Sequence, residues 1–247
     1  MIKTGYGEWI ADFGAERERR AALGDPDWAR GARLAPAVVR SVQKFQVGED
    51  GDGSELIGKA ERAGDAGYTE AVRLFVAEEQ NHARMLALLL AAGEARTLQG
   101  HWSDAAFVRL RRLMGLKLEL LVLMIAEVVA LRYYRALRDG TCDPLTSETA
   151  ARILADEERH VPFHCQRLRE GLAGLPRPVR RAVTGGWRVL LGGAAVLVCV
   201  DHGPALRALG VRRRTFVADV HRSSAAMASA MSAGPAREPA AAEGAGV

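Results

Sequence analysis

Cysteines and aromatic residues are both scarce in this chain. Only three cysteines occur among 247 residues, they stand far apart, and no two of them form a CxxC pair. This spacing argues against a disulfide scaffold, a zinc ribbon and a rubredoxin-type iron site. Aromatic residues make up 6% of the chain, whereas alanine, leucine, arginine and glutamate are frequent. Such a mixture favours helix over sheet, and no convincing strand pattern is found.

A long apolar run and a strong net charge are also missing. The longest apolar run, 189–200, has twelve residues and is too short to span a bilayer. Residues 1–20 lack the apolar core of a secretory signal. The net charge of +4 permits an anionic partner without demanding one, and the basic clusters lack interleaved aromatic residues. We therefore expect a cytoplasmic protein with no membrane span and no nucleic-acid partner.

Apolar periodicity and turn residues predict helices along most of the chain. An N-terminal segment (1–34) is expected to hold a helix over about 7–23. A main domain (35–172) is expected to hold helices over about 35–63, 69–92, 113–138 and 146–172, with a connector at 94–112. The first of these contains four glycines, and a break at those glycines is the alternative. A C-terminal extension (173–232) is expected to hold helices over about 176–201 and 213–232, followed by a disordered tail (233–247).

The chemical signal is a pattern that occurs twice, in which a glutamate is followed thirty residues later by Glu-x-x-His. Residues three apart on a helix share a face, so each motif offers one carboxylate and one imidazole to the same point. The six candidate metal ligands are Glu49, Glu79, His82, Glu127, Glu157 and His160.

The thirty-residue spacing fits an antiparallel helical hairpin. A helix rises roughly 22 Å from Glu49 to the turn at Gly64, and the returning helix rises roughly 18 Å to Glu79. The same sum applies to Glu127 and Glu157. Two such hairpins packed together would place four carboxylates and two imidazoles at one height. The longer gap of forty-eight residues between the two halves suits a crossover connection.

Glu127 gives independent support for a metal site. The four residues on either side of it are all apolar, so its carboxylate is expected to be buried. A buried carboxylate without a partner costs several kcal/mol, and no arginine or lysine lies within four residues. A pair of metal ions would satisfy this carboxylate.

These motifs resemble those of the ferritin-like di-iron carboxylate superfamily. That superfamily includes ferritins, rubrerythrins, ribonucleotide reductase small subunits, bacterial di-iron oxygenases and aldehyde-deformylating oxygenases. The resemblance covers about residues 35–172. It implies an all-α fold, namely a ferritin-like four-helix bundle with one long crossover and extra C-terminal helices.

The resemblance also implies a role for each site residue. Glu49 and His82 would hold one ion, and Glu127 and His160 would hold the other. Glu79 and Glu157 would bridge the two ions. Asp156 matches the DExxH form of the oxygen-activating branches, and it would hold the ring N–H of a metal-bound histidine across the bundle. Glu78 has the equivalent position in the first half. His164 would line a substrate pocket or support the metal ligands, and a hydrogen-bonded core histidine is the alternative.

The function implied by the resemblance is a non-haem di-iron oxidase or oxygenase that uses O2 to oxidise a small organic substrate. Two iron ions are expected because the ligands are hard and include no thiolate, with manganese as the alternative metal. The expected partners are the substrate, O2 and an external reductase, and a homodimer is left open. A radical tyrosine is not expected, because Leu86 stands where ribonucleotide reductase small subunits carry one.

Two other functions remain open at this point. One is iron handling, as ferroxidase and storage or as rubrerythrin-like removal of peroxide. The other is a non-catalytic helical bundle that the metal ions only stabilise.

Overall fold

The computed structural model describes residue 3, residues 5–100 and residues 115–233 of the chain. Within these ranges the regular structure is entirely helical, as the composition predicts. The α-helices are α1 (Tyr6–Leu23), α2 (Pro36–Glu49), α3 (Ser54–Arg62), α4 (Ala66–Ala92), α5 (Leu116–Gly140), α6 (Pro144–Leu172), α7 (Arg177–Asp201), α8 (Gly203–Ala208) and α9 (Arg213–Ser232), with a short 3-10 helix at Trp28–Arg30.

Local sequence signals explain where the central helices begin. The side chain of Asp65 accepts a hydrogen bond from the backbone N–H of Tyr68 and caps α4. Asp143 caps α6 in the same way through the N–H of Thr146, and Pro144 occupies the first turn, where its missing N–H costs nothing. The expected helices over 69–92, 113–138 and 146–172 therefore begin and end within about three residues of the observed α4, α5 and α6.

The prediction of a single helix over 35–63 is wrong. The chain forms α2 and α3 instead, and the break follows Glu49 directly. Gly53 lies in the left-handed region with φ of 65°, and a Cβ at this position would overlap the side chain of Val76 on α4. Only glycine meets both demands without strain, so the glycine-rich stretch ends one helix where α4 passes close to the chain.

The N-terminal segment is part of the core. Helix α1 packs on α4, and the side chains of Trp9 and Phe13 are buried. The indole N–H of Trp9 donates a hydrogen bond to Gln166 on α6. The segment before residue 35 therefore packs directly against the helices of the main domain.

The central helices pack in pairs, with α2 against α4 and α5 against α6, and α4 also contacts α6. The expected connector at 94–112 falls mostly on residues 101–112, which lie outside the described ranges. The expected disordered tail also lies outside them, apart from residue 233.

The C-terminal helices lie on α5 and α6. Helix α9 packs against both of them and against α7, and the indole N–H of Trp187 on α7 donates to the carbonyl of Leu121 on α5. By length and composition, α7 is the one helix of the described chain that is apolar enough to cross a membrane, and 28% of its most apolar window is buried. The absence of a membrane span stays a prediction.

Candidate metal centre

The six candidate ligands come from four helices and meet at one place. Glu49 is the last residue of α2, α4 contributes the first Glu-x-x-His motif, α5 contributes Glu127, and α6 contributes the second motif. The structure thus brings together the residues that the thirty-residue spacing placed at one height.

The ligand atoms form two overlapping groups in which all the atoms lie within 4.8 Å of one another. The first group is Glu49, Glu79, His82 and Glu157, and the second is Glu79, Glu127, Glu157 and His160. Glu79 and Glu157 belong to both groups, which is the geometry that two bridging carboxylates require. Each group alone contains enough oxygen and nitrogen donors to hold a metal ion.

The cluster is buried and its inner atoms lack hydrogen bonds. Both imidazoles are fully buried, and Glu127 and Glu157 are 3% and 1% exposed. Five atoms of the cluster make no well-aligned hydrogen bond: Oε1 of Glu79, Oε2 of Glu127, Oε2 of Glu157, Nδ1 of His82 and Nδ1 of His160. Each imidazole Nδ1 lies 3.1–3.7 Å from carboxylate oxygens of this set. Buried polar atoms without good hydrogen bonds are costly, so their convergence fits a bound cation.

The two imidazole rings are oriented by carboxylates on the opposite helix. Nε2 of His82 on α4 lies 3.1 Å from Oδ2 of Asp156 on α6. In the mirrored arrangement, Nε2 of His160 on α6 lies 3.0 Å from Oε2 of Glu78 on α4. Because each Nε2 meets a carboxylate, each Nδ1 lone pair can point at the cluster. The contacts predicted for Asp156 and Glu78 are therefore present.

Two arginines join these orienting carboxylates to each other. Nη1 of Arg20 on α1 lies 2.7 Å from Oε1 of Glu78 and 3.1 Å from Oδ1 of Asp156. Nη2 of Arg159 lies 2.9 Å and 2.8 Å from the same two atoms. The positive charges offset two buried negative charges and hold both in place. Sequence reasoning missed Arg20, because nothing in the sequence shows against which face of α4 the helix α1 packs.

Tyr134 is a second residue that sequence reasoning missed. Its ring is fully buried. Its hydroxyl also donates a 2.6 Å hydrogen bond to Oε1 of Glu49. The neighbouring hydroxyl of Tyr133 instead accepts a hydrogen bond from Ser41. Tyr134 stands seven residues after Glu127 on α5, and that two-turn spacing was the one available signal.

His164 lies beside the cluster and outside both ligand groups. It is fully buried, and its Nε2 is 4.0 Å from Oε1 of Glu127. Phe75 lies edge-on against this ring and against the ring of His160, at centroid distances of 4.6 Å and 4.7 Å. The histidine thus belongs to an aromatic wall next to the second group.

Burial and neighbouring charge displace the pKa values of the cluster in opposite directions. Burial, together with the charges of Glu79 and Glu157, raises the pKa of Glu49 and of Glu127 well above the ordinary value. Burial also acts to raise the pKa of Glu79, but the two imidazoles beside it outweigh that effect and lower it. The pKa of Glu157 is lowered for the same reason.

The two histidines complete this balance. Burial opposes a charge on His82 and on His160, but the surrounding carboxylates outweigh burial and raise both pKa values well above 6.5. Without metal, these shifts favour the protonated forms of Glu49, Glu127 and both histidines and the ionised forms of Glu79 and Glu157.

Comparison with protein-family models, with curated proteins and with solved structures yields no match. The chemistry of the site therefore has to be argued from the geometry of its own residues.

Proposed function

We propose that this protein is a non-haem di-iron oxidase or oxygenase, which uses O2 to oxidise a small organic substrate. The observation that carries the proposal is the pair of ligand groups sharing Glu79 and Glu157, with five buried donor atoms that make no well-aligned hydrogen bond. A donor set of carboxylates and imidazoles without thiolate suits iron, and manganese is the alternative metal.

The charge of the cluster supports two ions rather than one. The two groups contain four carboxylates and two imidazoles. Two divalent cations would balance four ionised carboxylates when both imidazoles are neutral, whereas one cation would need two retained protons to reach the same balance. Uncompensated buried charge is strongly unfavourable, so two ions are the number that makes the cluster neutral with all six ligands deprotonated.

We assign the ligand roles from group membership. Glu49 and His82 would hold one ion, since each belongs to the first group alone. Glu127 and His160 would hold the other in the same way. The carboxylates that belong to both groups would bridge the two ions. The hairpin spacing and the four contributing helices fit the ferritin-like bundle, which we include in the proposal as its scaffold.

Bound ferrous iron would supply electrons to O2, and an external reductase would restore them. The protein's own residues fix the geometry of that chemistry. Asp156 and Glu78 hold the imidazole rings so that Nδ1 faces inward, and Tyr134 holds one oxygen of Glu49. Because Arg20 and Arg159 fix the orienting carboxylates in turn, the ligands have little freedom to rearrange.

The surroundings of the second group favour oxidation of an organic molecule over iron storage. Phe75 packs on His160, and the ring of Phe13 lies 6.3 Å from the same imidazole. Phe163 lies 5.0 Å from the ring of His164. These rings are buried and pack on one another, so they exclude water from this side of the cluster, and a substrate would be oxidised next to apolar rather than ionic groups.

The proposal is tested by loading the full chain with two equivalents of ferrous iron without oxygen, then adding O2. We expect rapid consumption of O2 that stops once the two irons are oxidised and resumes when a chemical reductant is supplied. Glu127→Ala should remove one or both ions and suppress the O2 consumption. Glu158→Ala is the matched control, because Glu158 follows the candidate ligand Glu157 in sequence but is exposed and pairs with Arg135.

Two results would replace the proposal with one of its alternatives. If O2 converted hundreds of added ferrous ions per chain into a soluble ferric core, the protein would be an iron-storage protein. If two ions bound tightly but the reduced protein consumed no O2, the ions would serve only to stabilise the helices.

A further inference from the structure

Helix α7 presents an apolar face to the outside, called here the α7 strip. It carries six of the ten exposed large apolar side chains of the described chain, each between 43% and 75% exposed: Val179, Val189, Leu190, Val196, Leu197 and Val200. The residues between them on the same face are all small, namely Ala182, Gly185, Gly186 and Gly193. At 1.5 Å per residue the strip is about 32 Å long, and an uncharged patch of this kind marks an interaction surface.

The opposite face of α7 attaches the helix to the rest of the protein. Its side chains Trp187, Leu191 and Cys199 are buried, and the helix packs on α5 and α9. Near its middle, the guanidinium group of Arg188 donates a 3.0 Å hydrogen bond to the hydroxyl of Ser224 on α9. Because α7 is packed along one whole face, an apolar phase would meet only the strip, and the helix would lie along that phase rather than cross it.

The part of the chain that carries the strip is strongly basic. Residues 173–233, which include α7, α8 and α9, contain nine arginines, no lysine and two aspartates, so their net charge is nine minus two, or +7. The whole chain carries +4, and the remaining residues therefore sum to −3. Both aspartates already have basic partners, since Asp201 pairs with Lys44 and Asp219 with Arg132. The positive charge of the protein is thus concentrated around the strip.

Exposed arginines stand at both ends of the strip. Arg181 lies near the start of α7, and Arg212 and Arg214 lie at the start of α9. The start of α9 is beside the end of α7, because Sγ of Cys199 lies 3.6 Å from the backbone carbonyl oxygen of Arg213. None of these three exposed guanidinium groups forms an ion pair within the described part of the chain. They are therefore available to anionic groups of a partner that covers the strip.

We propose that the α7 strip binds the surface of a membrane that contains anionic lipids. The apolar side chains would enter the boundary between headgroups and acyl chains, and the arginines at both ends would contact lipid phosphates. A second copy of this chain is the other apolar partner for the strip. It would, however, bring two regions of net charge +7 together, and like charges across an interface are unfavourable. An anionic bilayer neutralises the same charge, so the charge around the strip favours the membrane.

Two attractions of different kinds would hold the protein on the membrane. Burial of the strip depends on apolar area, and the attraction of the arginines depends on the charge of the lipids. Anionic lipids should therefore strengthen binding by roughly tenfold or more. Salt should weaken this part of the binding, because the Debye length falls from about 10 Å at 0.1 M to about 3 Å at 1 M.

The proposal is tested by flotation of the full chain with vesicles of phosphatidylcholine, with and without phosphatidylglycerol. The wild type should float with the anionic vesicles at low salt and bind the neutral ones roughly tenfold more weakly. Leu190→Glu should lower binding to both kinds of vesicle at least tenfold, because it places a charge in the middle of the strip. Leu23→Glu is the matched control, since Leu23 is also an exposed helical leucine but lies on α1. This control should bind like the wild type.

A second pair of variants tests the arginines. Replacing both Arg212 and Arg214 by glutamine should weaken binding to anionic vesicles roughly tenfold and leave binding to neutral vesicles unchanged. The matched control replaces Arg17 and Arg62, which are also exposed and belong to α1 and α3, and it should bind like the wild type. Circular dichroism checks that every variant remains folded.

Three results would overturn the proposal. The first is a wild type that floats with neither kind of vesicle, and a monomer–dimer equilibrium in sedimentation velocity would then assign the strip to a second copy. The second is a Leu190→Glu variant that binds like the wild type, which would place the membrane contact elsewhere. The third is equal binding to neutral and anionic vesicles, which would remove the role of the arginines. Vesicle binding does not depend on metal, so its failure is distinguishable from failure of the proposed function.

Discussion

The hydroxyl of Tyr134 donates a 2.6 Å hydrogen bond to Oε1 of Glu49, which ties α5 to the last residue of α2. Glu49 has no further turn of helix behind it, because the chain breaks at Asp50–Gly53. The hydrogen bond therefore supplies rigidity that the helix end does not. It also occupies one carboxylate oxygen and leaves the other for the cluster.

Tyr134→Phe should lower the metal affinity of the site without abolishing metal binding. The substitution removes one hydrogen bond to a carboxylate, which contributes about 1–2 kcal/mol. We expect the affinity for the ion held by Glu49 to fall roughly tenfold, while the second ion stays bound. Ferrous titration followed by calorimetry measures both affinities. In Tyr133→Phe, which removes a hydroxyl bonded to Ser41, both affinities should be unchanged.

Arg20→Gln should weaken both ions together. Arg20 contacts the carboxylates that orient His82 and His160, and loss of such a supporting contact typically lowers metal affinity 10–100-fold. Arg19→Gln is the matched control, since Arg19 is 54% exposed and pairs with Glu16. Equal metal affinity in the Arg20 variant and the control would contradict the supporting role.

Metal binding should release protons. The raised pKa values favour the protonated forms of Glu49, Glu127 and both histidines when no metal is bound. Metal ligands must be deprotonated, so loading the site should release protons. Calorimetry in buffers of different ionisation enthalpy measures this release. Metal binding without proton release would contradict the direction of these pKa shifts.

The same pKa values predict how stability depends on pH. Groups with raised pKa values stabilise the fold below their unfolded values and lose that contribution as pH rises through their folded values. Glu49 and Glu127 should therefore make the metal-free protein less stable as pH rises above about 4.5, and the two histidines should add to that loss above 6.5. Glu79 and Glu157 have lowered pKa values, so their contribution is lost as pH falls below about 4.5. The melting temperature of chelated protein should be highest near pH 4.5 and fall on either side, whereas loaded protein should show no loss at alkaline pH.

The sequence predicted the cluster well because spacing along a helix is a local property. Two glutamates thirty residues apart across a turn reach the same level whatever else the chain does, and a Glu-x-x-His pair shares one helix face. Once the helices pair, Glu49 meets Glu79 and Glu127 meets Glu157. The positions of Asp156 and Glu78 opposite the histidines were instead implied by the resemblance to the DExxH form.

Features that depend on how separate helices pack were not predicted from the sequence. Arg20 reaches the site only because α1 lies on α4, and an amphipathic pattern does not show which neighbour it covers. The contact of Tyr134 with Glu49 could not be distinguished from that of Tyr133 with Ser41, because the sequence does not show which partner a buried hydroxyl meets. The break after Glu49 depends on Val76 of α4 passing close to Gly53, although the glycines themselves gave the alternative that proved right.

The most direct test of the di-metal centre is anomalous diffraction at the iron edge from crystals loaded with ferrous iron without oxygen. We predict two peaks about 3.5–4 Å apart, one within the group of Glu49 and His82 and the other within the group of Glu127 and His160, with Glu79 and Glu157 contacting both. A single peak, or peaks only on the protein surface, would contradict the account.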